Sequence, residues 1–262
     1  TDPDKYPNVD WRKLVLKDSA PRQTHSFNVA GGSKVVQTKV SLRYDKTDGL
    51  YANNSFERYM VRSNNDIKIN KFLEAHADVN LKFSDYRTPN ANPLYYNVRM
   101  IPPVYADHWS DGRYGDVKDG MNILAMLHEG GNTKSKYYRV GGKVALDFKP
   151  VEGLRLSAVF SPTYNFTKVK KFVKKIPYTY ADNANAVKGY VQGFYTTSLS
   201  ETRDDDYNLT TQFLADYIKT FGKHDITAMI GYEDFYQKWE YLGASRDQYE
   251  LTNFPYLDLG PE

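Results

Sequence analysis

Lys136-Tyr137-Tyr138-Arg139-Val140-Gly141-Gly142-Lys143-Val144-Ala145-Leu146-Asp147-Phe148 is the run from which the rest of the chain is read. Tyr138, Val140, Gly142, Val144, Leu146 and Phe148 form one alternating series. Tyr137, Arg139, Gly141, Lys143, Ala145 and Asp147 form the other, which is largely polar. Successive side chains of a strand point to opposite faces, so this run is a strand with one apolar and one wet face. After the turn Lys149-Pro150-Val151-Glu152-Gly153 the alternation resumes at Leu154, Leu156, Ala158, Phe160 and Tyr164. Both arms run to about ten residues or more, where a typical strand has about five or six. A tilted strand that crosses a bilayer needs about nine to eleven.

Working outward, the same pattern recurs. Leu73, Ala75, Ala77, Val79, Leu81 and Phe83 alternate with Glu74, His76, Asp78, Asn80, Lys82 and Ser84. Val36, Thr38, Val40, Leu42 and Tyr44 make another strand, preceded by a short one at 25–30 and followed by a weaker one over 56–66. Towards the end, Leu209, Thr211, Phe213, Ala215 and Tyr217 lead through a turn to Ile226, Ala228, Ile230 and Tyr232. A helical patch is expected at 11–16.

The connections are informative. Short turns at 31–34, near 70, at 149–153 and at 221–224 alternate with long irregular stretches at about 45–55, 85–135, 165–206 and 233–262. In an antiparallel meander that alternation gathers every long loop on one rim, the asymmetry of outer-membrane barrels with short periplasmic turns and long extracellular loops. The expected fold is therefore all-β: an antiparallel up-and-down transmembrane β-barrel segment of about eight strands, one unit over 1–262. If the first turn is periplasmic, the first strand enters from outside and at least one strand precedes it. The chain starts at Thr1 with no signal peptide, and is read as a fragment or processed segment.

Composition narrows the classes. Aromatic residues make up 15% and charged residues 26%, which excludes disorder. Tyrosine, with 23 copies, dominates the aromatics and suits membrane interfaces and sugar-binding surfaces. A net charge of +3 gives no argument for nucleic acid. Without cysteine there is neither a disulfide framework nor a thiolate metal site. The mean hydropathy of −0.67 does not argue against a membrane barrel, whose lumen-facing residues offset its lipid-facing ones. No apolar run is long enough for a membrane-crossing helix.

Candidate contact residues gather in one loop: Tyr95, Tyr96, Tyr105, Trp109, Asp111, Tyr114 and Asn122. Aromatic faces beside carboxylates and amides suit a sugar ring or a protein partner, and also suit a loop packing on itself. Asp111, Asp116, Asp119 and Asn122 fail the EF-hand spacing, so no metal is assigned. The lysines at 168, 170, 171, 174 and 175 read as a solvated face, or as attraction to an anionic surface. His76 is expected on a polar, lumen-facing surface. Tyr44, Tyr86, Tyr138, Tyr164 and Tyr232 are expected in an aromatic girdle. No nucleophile elbow, phosphate loop or His-Glu-x-x-His motif occurs, so nothing marks an enzyme or a cofactor.

Several short pieces in order carry a family resemblance. They are Asn8-Val9-Asp10-Trp11, Gly31-Gly32-Ser33, Val40-Ser41-Leu42-Arg43-Tyr44, Phe56-Glu57-Arg58-Tyr59, Asp111-Gly112-Arg113-Tyr114, Thr220-Phe221-Gly222-Lys223-His224, Gly231-Tyr232-Glu233 and Phe254-Pro255-Tyr256-Leu257. With them the chain resembles the barrel region of SusC/RagA-type TonB-dependent outer-membrane transporters of Bacteroidetes. It departs at Asn122-Ile123-Leu124-Ala125, where Asn-Pro-Leu-Ala is common in the family. No plug domain is seen, so about eight of about twenty-two strands are expected here. The resemblance implies a Gram-negative outer membrane and import of an oligosaccharide or peptide. It also implies a SusD-like surface lipoprotein as partner, contact with outer-membrane lipid, and energy from TonB through regions outside this chain. The rival readings are a soluble β-rich glycan-binding module and an outer-membrane enzyme barrel.

Overall fold

Each alternating run becomes a strand bonded to the next: β1 (Arg22–Gly32), β2 (Val36–Asp48), β3 (Ser55–Lys68), β4 (Leu73–Pro89), β5 (Gly131–Phe148) and β6 (Leu154–Val173). A separate hairpin follows, β7 (Pro177–Tyr180) and β8 (Asn183–Tyr190), before β9 (Ser198–Phe221) and β10 (His224–Asp247). The computed structural model describes residues 2–91 and 95–260. Among them, eight strands form one sheet in the order β1-β2-β3-β4-β5-β6-β9-β10, every pair antiparallel. This is the up-and-down arrangement expected from the sequence.

Register keeps the two faces apart. Phe27, Leu42, Val61, Leu81 and Val140 stand in one cross-strand row. Ser41, Arg62, Asn80, Gly141 and Thr163 stand in a row of the other face. A slip of one residue would exchange the faces, so the apolar series fixes the pairing. The ladder between β5 and β6 skips Gly142 and Lys143, which lie opposite Pro162 and Ser161 respectively. Proline has no N–H to contribute there.

The apolar face is wide and exposed, with Val79, Leu81, Val140, Val144 and Leu146 uncovered in mid-sheet. Its upper boundary is a ladder of rings: His25, Tyr44, Tyr59, Phe83, Tyr138 and Phe166. Consecutive centroids lie 6.2, 5.0, 6.1, 4.9 and 5.9 Å apart. On β4 the band runs from Phe83 to Leu73, about 33 Å of strand at ~3.3 Å per residue. At the usual tilt of about 40° that is roughly 25 Å of height, the apolar band of an outer-membrane barrel.

Two expectations are corrected. The strands run well into the stretches expected as long loops, so the connections shrink to 49–54, 90–130, 174–197 and 248 onward. Above the ring ladder neither face has to be apolar. Alternation therefore fades in sequence while the backbone ladder continues, as in Asp204-Asp205-Asp206 of β9 and the upper half of β10. Tyr86 is also not in the girdle. Its β4 position shares a face with Ser84 and Lys82, and its ring packs on Phe56 and Tyr137 at 4.5 and 5.4 Å.

A closed hydrophobic core forms at the long-connection rim instead of within the sheet. The patch expected at 11–16 is α1 (Trp11–Val15), capped by Asp10, whose carboxylate accepts from the Lys13 N–H. Two helices that periodicity did not reveal, α2 (Tyr95–Met100) and α3 (Ile123–Glu129), pack beside it. Trp11, Val98, Ile101, Ile123 and Leu127 are buried together. Ala125 of α3 joins Ile176, Val191 and Phe194 in a second cluster that holds the β7–β8 hairpin. The chain enters β5 through Gly131 at φ 75°, where an added Cβ would lie 2.1 Å from the Phe172 carbonyl oxygen. Only glycine fits there.

Candidate ligand and partner contact site

The predicted contact residues divide by place. Tyr95 and Tyr96 lie on α2, and their side chains fall outside the described residues. Tyr105 and Tyr114 pack part-buried against the rim core. The Tyr114 ring also meets His108 at 4.6 Å, and His108 pairs with Asp107 at 2.8 Å. Trp109 is half-buried, and its indole N–H meets no acceptor among the described residues. Asp111 is exposed. Asn122 is fully buried: its amide donates to the carbonyls of Asp107 (2.8 Å) and Gly115 (2.9 Å), and its oxygen accepts from the Ala125 N–H. Every strong bond of Asn122 therefore holds the loop to the start of α3. Of the predicted contact residues whose side chains are described, Asp111 is exposed and Trp109 part-exposed, beside the exposed Val104 and Ser110.

Arg113 ties the loops together. Arg113 donates to the Thr179 hydroxyl, to the Tyr180 carbonyl at 2.9 Å and to the Ala181 carbonyl at 3.1 Å. It also forms an ion pair with Asp111. The Arg113 hydrogen bond holds the Asp111 carboxyl below its ordinary value. Lys188 of β8 pairs with Asp116, and that bond raises the ammonium above its ordinary value. Asn90 performs a similar service, donating to the Gly130 and Phe172 carbonyls. Asp111-Gly112-Arg113-Tyr114 was visible as a motif, but nothing local in it shows that Arg113 reaches 66 residues ahead. Beneath these loops lies a cavity of about 330 Å³, bordered by Ile101, Met126, Lys171, Gln192 and Phe194.

The other surface is the sheet's polar face, where His76 lies as expected. Its Nδ1 is 2.6 Å from Asp66 and its Nε2 3.5 Å from Asp147. Asn64 donates to Asp78 at 2.6 Å, Lys149 to Glu74 at 2.7 Å and Arg155 to Asp216 at 2.9 Å. Cross-strand pairs of this kind suit a water-filled or plugged interior. They include no nucleophile–base pair.

No protein-family model matches the chain. Among curated proteins it is 27% identical over 175 residues to a TonB-dependent receptor of Formosa agariphila, covering 65% of this chain and 17% of the relative. It is 24% identical over 257 residues to the TonB-dependent receptor SusC of Bacteroides thetaiotaomicron, covering 87% of this chain and 24% of the relative. The chain thus spans about a quarter or less of these relatives' length. Among solved structures, the RagAB peptide transporter superposes with a TM-score of 0.78 at 20% identity, over 97% of this chain and 28% of that one. The RagAB peptide importer in its "open-open" state gives 0.78 at 19%, over 98% and 29%. Sequence likeness to SusC-type receptors and a fold like that of RagAB agree with the resemblance carried by the motifs.

Proposed function

We propose that this chain, a relative of SusC-type TonB-dependent receptors, forms part of the wall and outer loops of an outer-membrane nutrient importer. One observation carries the reading. An eight-stranded meander bears an apolar band roughly 25 Å high on one face, edged by a ladder of six rings, and a bonded polar network on the other. Lipid suits the first face and a hydrated or plugged interior the second. The rim with connections 90–130 and 174–197 then lies outside the cell, and the short turns lie in the periplasm.

On this reading the imported nutrient is an oligosaccharide or a peptide. A SusD-like surface lipoprotein covers the loop rim, where Trp109 and Asp111 are its first points of contact. TonB supplies energy through parts of the protein other than this wall. The chain positions and contains its ligand, and no bond is made or broken on it. A soluble glycan-binding module would need a second layer to cover Val140, Val144 and Leu146. Among the described residues no such layer lies over them.

Separation of outer from inner membranes of the source cells tests the proposal. The expected result is an outer-membrane species several times heavier than 30.2 kDa that co-purifies with a lipoprotein. A soluble species of about this chain's own mass would refute it.

A further inference from the structure

One row of the polar face differs from the rest. Cross-strand pairing sets Lys82, Arg139, Asn165, Asp206 and Trp239 side by side across β4, β5, β6, β9 and β10. Below it, toward the short turns, His76, Lys149 and Arg155 face carboxylates, Lys143 stands opposite Asp78, and Arg62 stands between Ser41 and Asn80. In this row Lys82 and Arg139 are direct cross-strand neighbours, and neither has a carboxylate partner among the described residues. Like charges directly opposite each other destabilise a sheet. An anion held between them would relieve that cost.

The surroundings define that anion further. Lys82 and Arg139 border a cleft of about 390 Å³ with Tyr86, Tyr137, Asn165 and Thr167. Asp206 accepts from the side-chain amides of Gln237 (2.9 Å), Asn165 (3.0 Å) and Asn208 (2.9 Å). A carboxylate can only accept, so each amide presents its NH2 to Asp206 and leaves its carbonyl oxygen free to accept from a ligand. Three fixed acceptors held on one carboxylate suit hydroxyl groups.

At the end of the row, the rings of Trp239 and Tyr241 lie nearly parallel, 6.1 Å and 26° apart. They are 62% and 56% exposed, on the same face as the Asp206 network. Tyr137 shares a register row with Tyr241, three strand spacings away. That separation is about 14 Å at ~4.8 Å per strand, longer than one sugar ring.

Taking the polar face as the interior of the importer proposed above, we infer that this row is a binding site for an acidic oligosaccharide. Sugar rings lie on Trp239 and Tyr241, and hydroxyls donate to the Asn165, Asn208 and Gln237 carbonyl oxygens. A carboxylate or sulfate group is clamped by Lys82 and Arg139. An extended peptide fits less well. Peptides are held through a free sheet edge or apolar side-chain pockets, and at Lys82, Arg139, Asn165 and Asp206 the strands are already paired on both sides.

The test uses the whole protein, purified from outer membranes in detergent, with calorimetric titration at low and high salt. The probes are oligogalacturonate, a sulfated oligosaccharide, a neutral malto-oligosaccharide and an acidic hexapeptide. An acidic oligosaccharide is expected to bind at least tenfold more tightly than the neutral one, with affinity falling as salt rises. Trp239→Ala weakens that binding about tenfold and leaves its salt dependence unchanged, while Trp239→Phe restores most of the loss. Lys82→Gln with Arg139→Gln removes the preference for acidic sugars and flattens the salt dependence. Equal or tighter binding of the neutral sugar overturns the inference. So does binding of the acidic peptide alone, or of none of the four probes, to protein that is folded and in the outer membrane. Recovery of the protein outside that membrane would instead refute the importer reading itself.

Discussion

Asn122 and Arg113 show how the outer loops keep one shape. Asn122→Ala would leave the Asp107 and Gly115 carbonyls without donors and the Ala125 N–H without its cap. A loss of about 1–3 kcal/mol is expected. It would be confined to the loop core and visible as faster amide exchange in α3 with the sheet unchanged. Arg113→Ala removes the bonds to the β7–β8 hairpin and the pair with Asp111. Residues 177–190 should then become susceptible to limited proteolysis, while Arg113→Lys, which lacks the planar fork, recovers only part of the protection. Arg113 lowers the Asp111 carboxyl, so the pair contributes fully above the ordinary value of about 3.9. Its contribution is lost as pH falls through the depressed value. Hairpin amides, corrected for intrinsic exchange, should therefore lose protection in acid and show no change between neutrality and about pH 5. The Asn122 cap on Ala125 and the Asp111–Arg113 pair are local, but the bonds of Asn122 to Asp107 and of Arg113 to the hairpin were not legible in sequence, because each joins residues whose proximity depends on the rim being folded.

At the scale of the strand, the two faces of β5 make opposite demands. Val144 lies near the middle of the apolar band, and arginine there should destabilise the protein in a bilayer by about 2–4 kcal/mol. Lys143→Gln, one residue away on the wet face, should change stability within about 0.5 kcal/mol. Unfolding titrations in lipid vesicles compare the two directly. Strand identity and register were readable because lipid allows only apolar residues on one face, and that restriction writes a period of two into β4, β5 and β6. Above the ring ladder the restriction ends. For that reason β10 reads as a fading tail after Glu233, and the Trp239–Tyr241 pair was not singled out from sequence. Tyr86 was misplaced because a tyrosine near a strand end is equally plausible on either face until its pairing with Phe56 and Ser135 fixes the parity.

For the molecule as a whole, the claim is that one sheet separates lipid from an aqueous or plugged interior, with a folded cap of loops at one rim. The alternation of short and long connections pointed to this, and the structure keeps it, with the short turns at 33–35, 69–72, 149–153 and 222–223. This chain carries no cysteine of its own, so labels can be placed on it singly. Single cysteines placed at each position from Tyr138 to Phe148 can carry spin labels in the intact protein reconstituted into lipid vesicles. Collision with oxygen, which concentrates in lipid, and with a water-soluble nickel chelate reports the surroundings of each label. Even-numbered positions should favour oxygen and odd-numbered ones the chelate, in a period of two over the whole stretch. Equal accessibility on both faces, or chelate contact at positions 140, 144 and 146, would contradict the account.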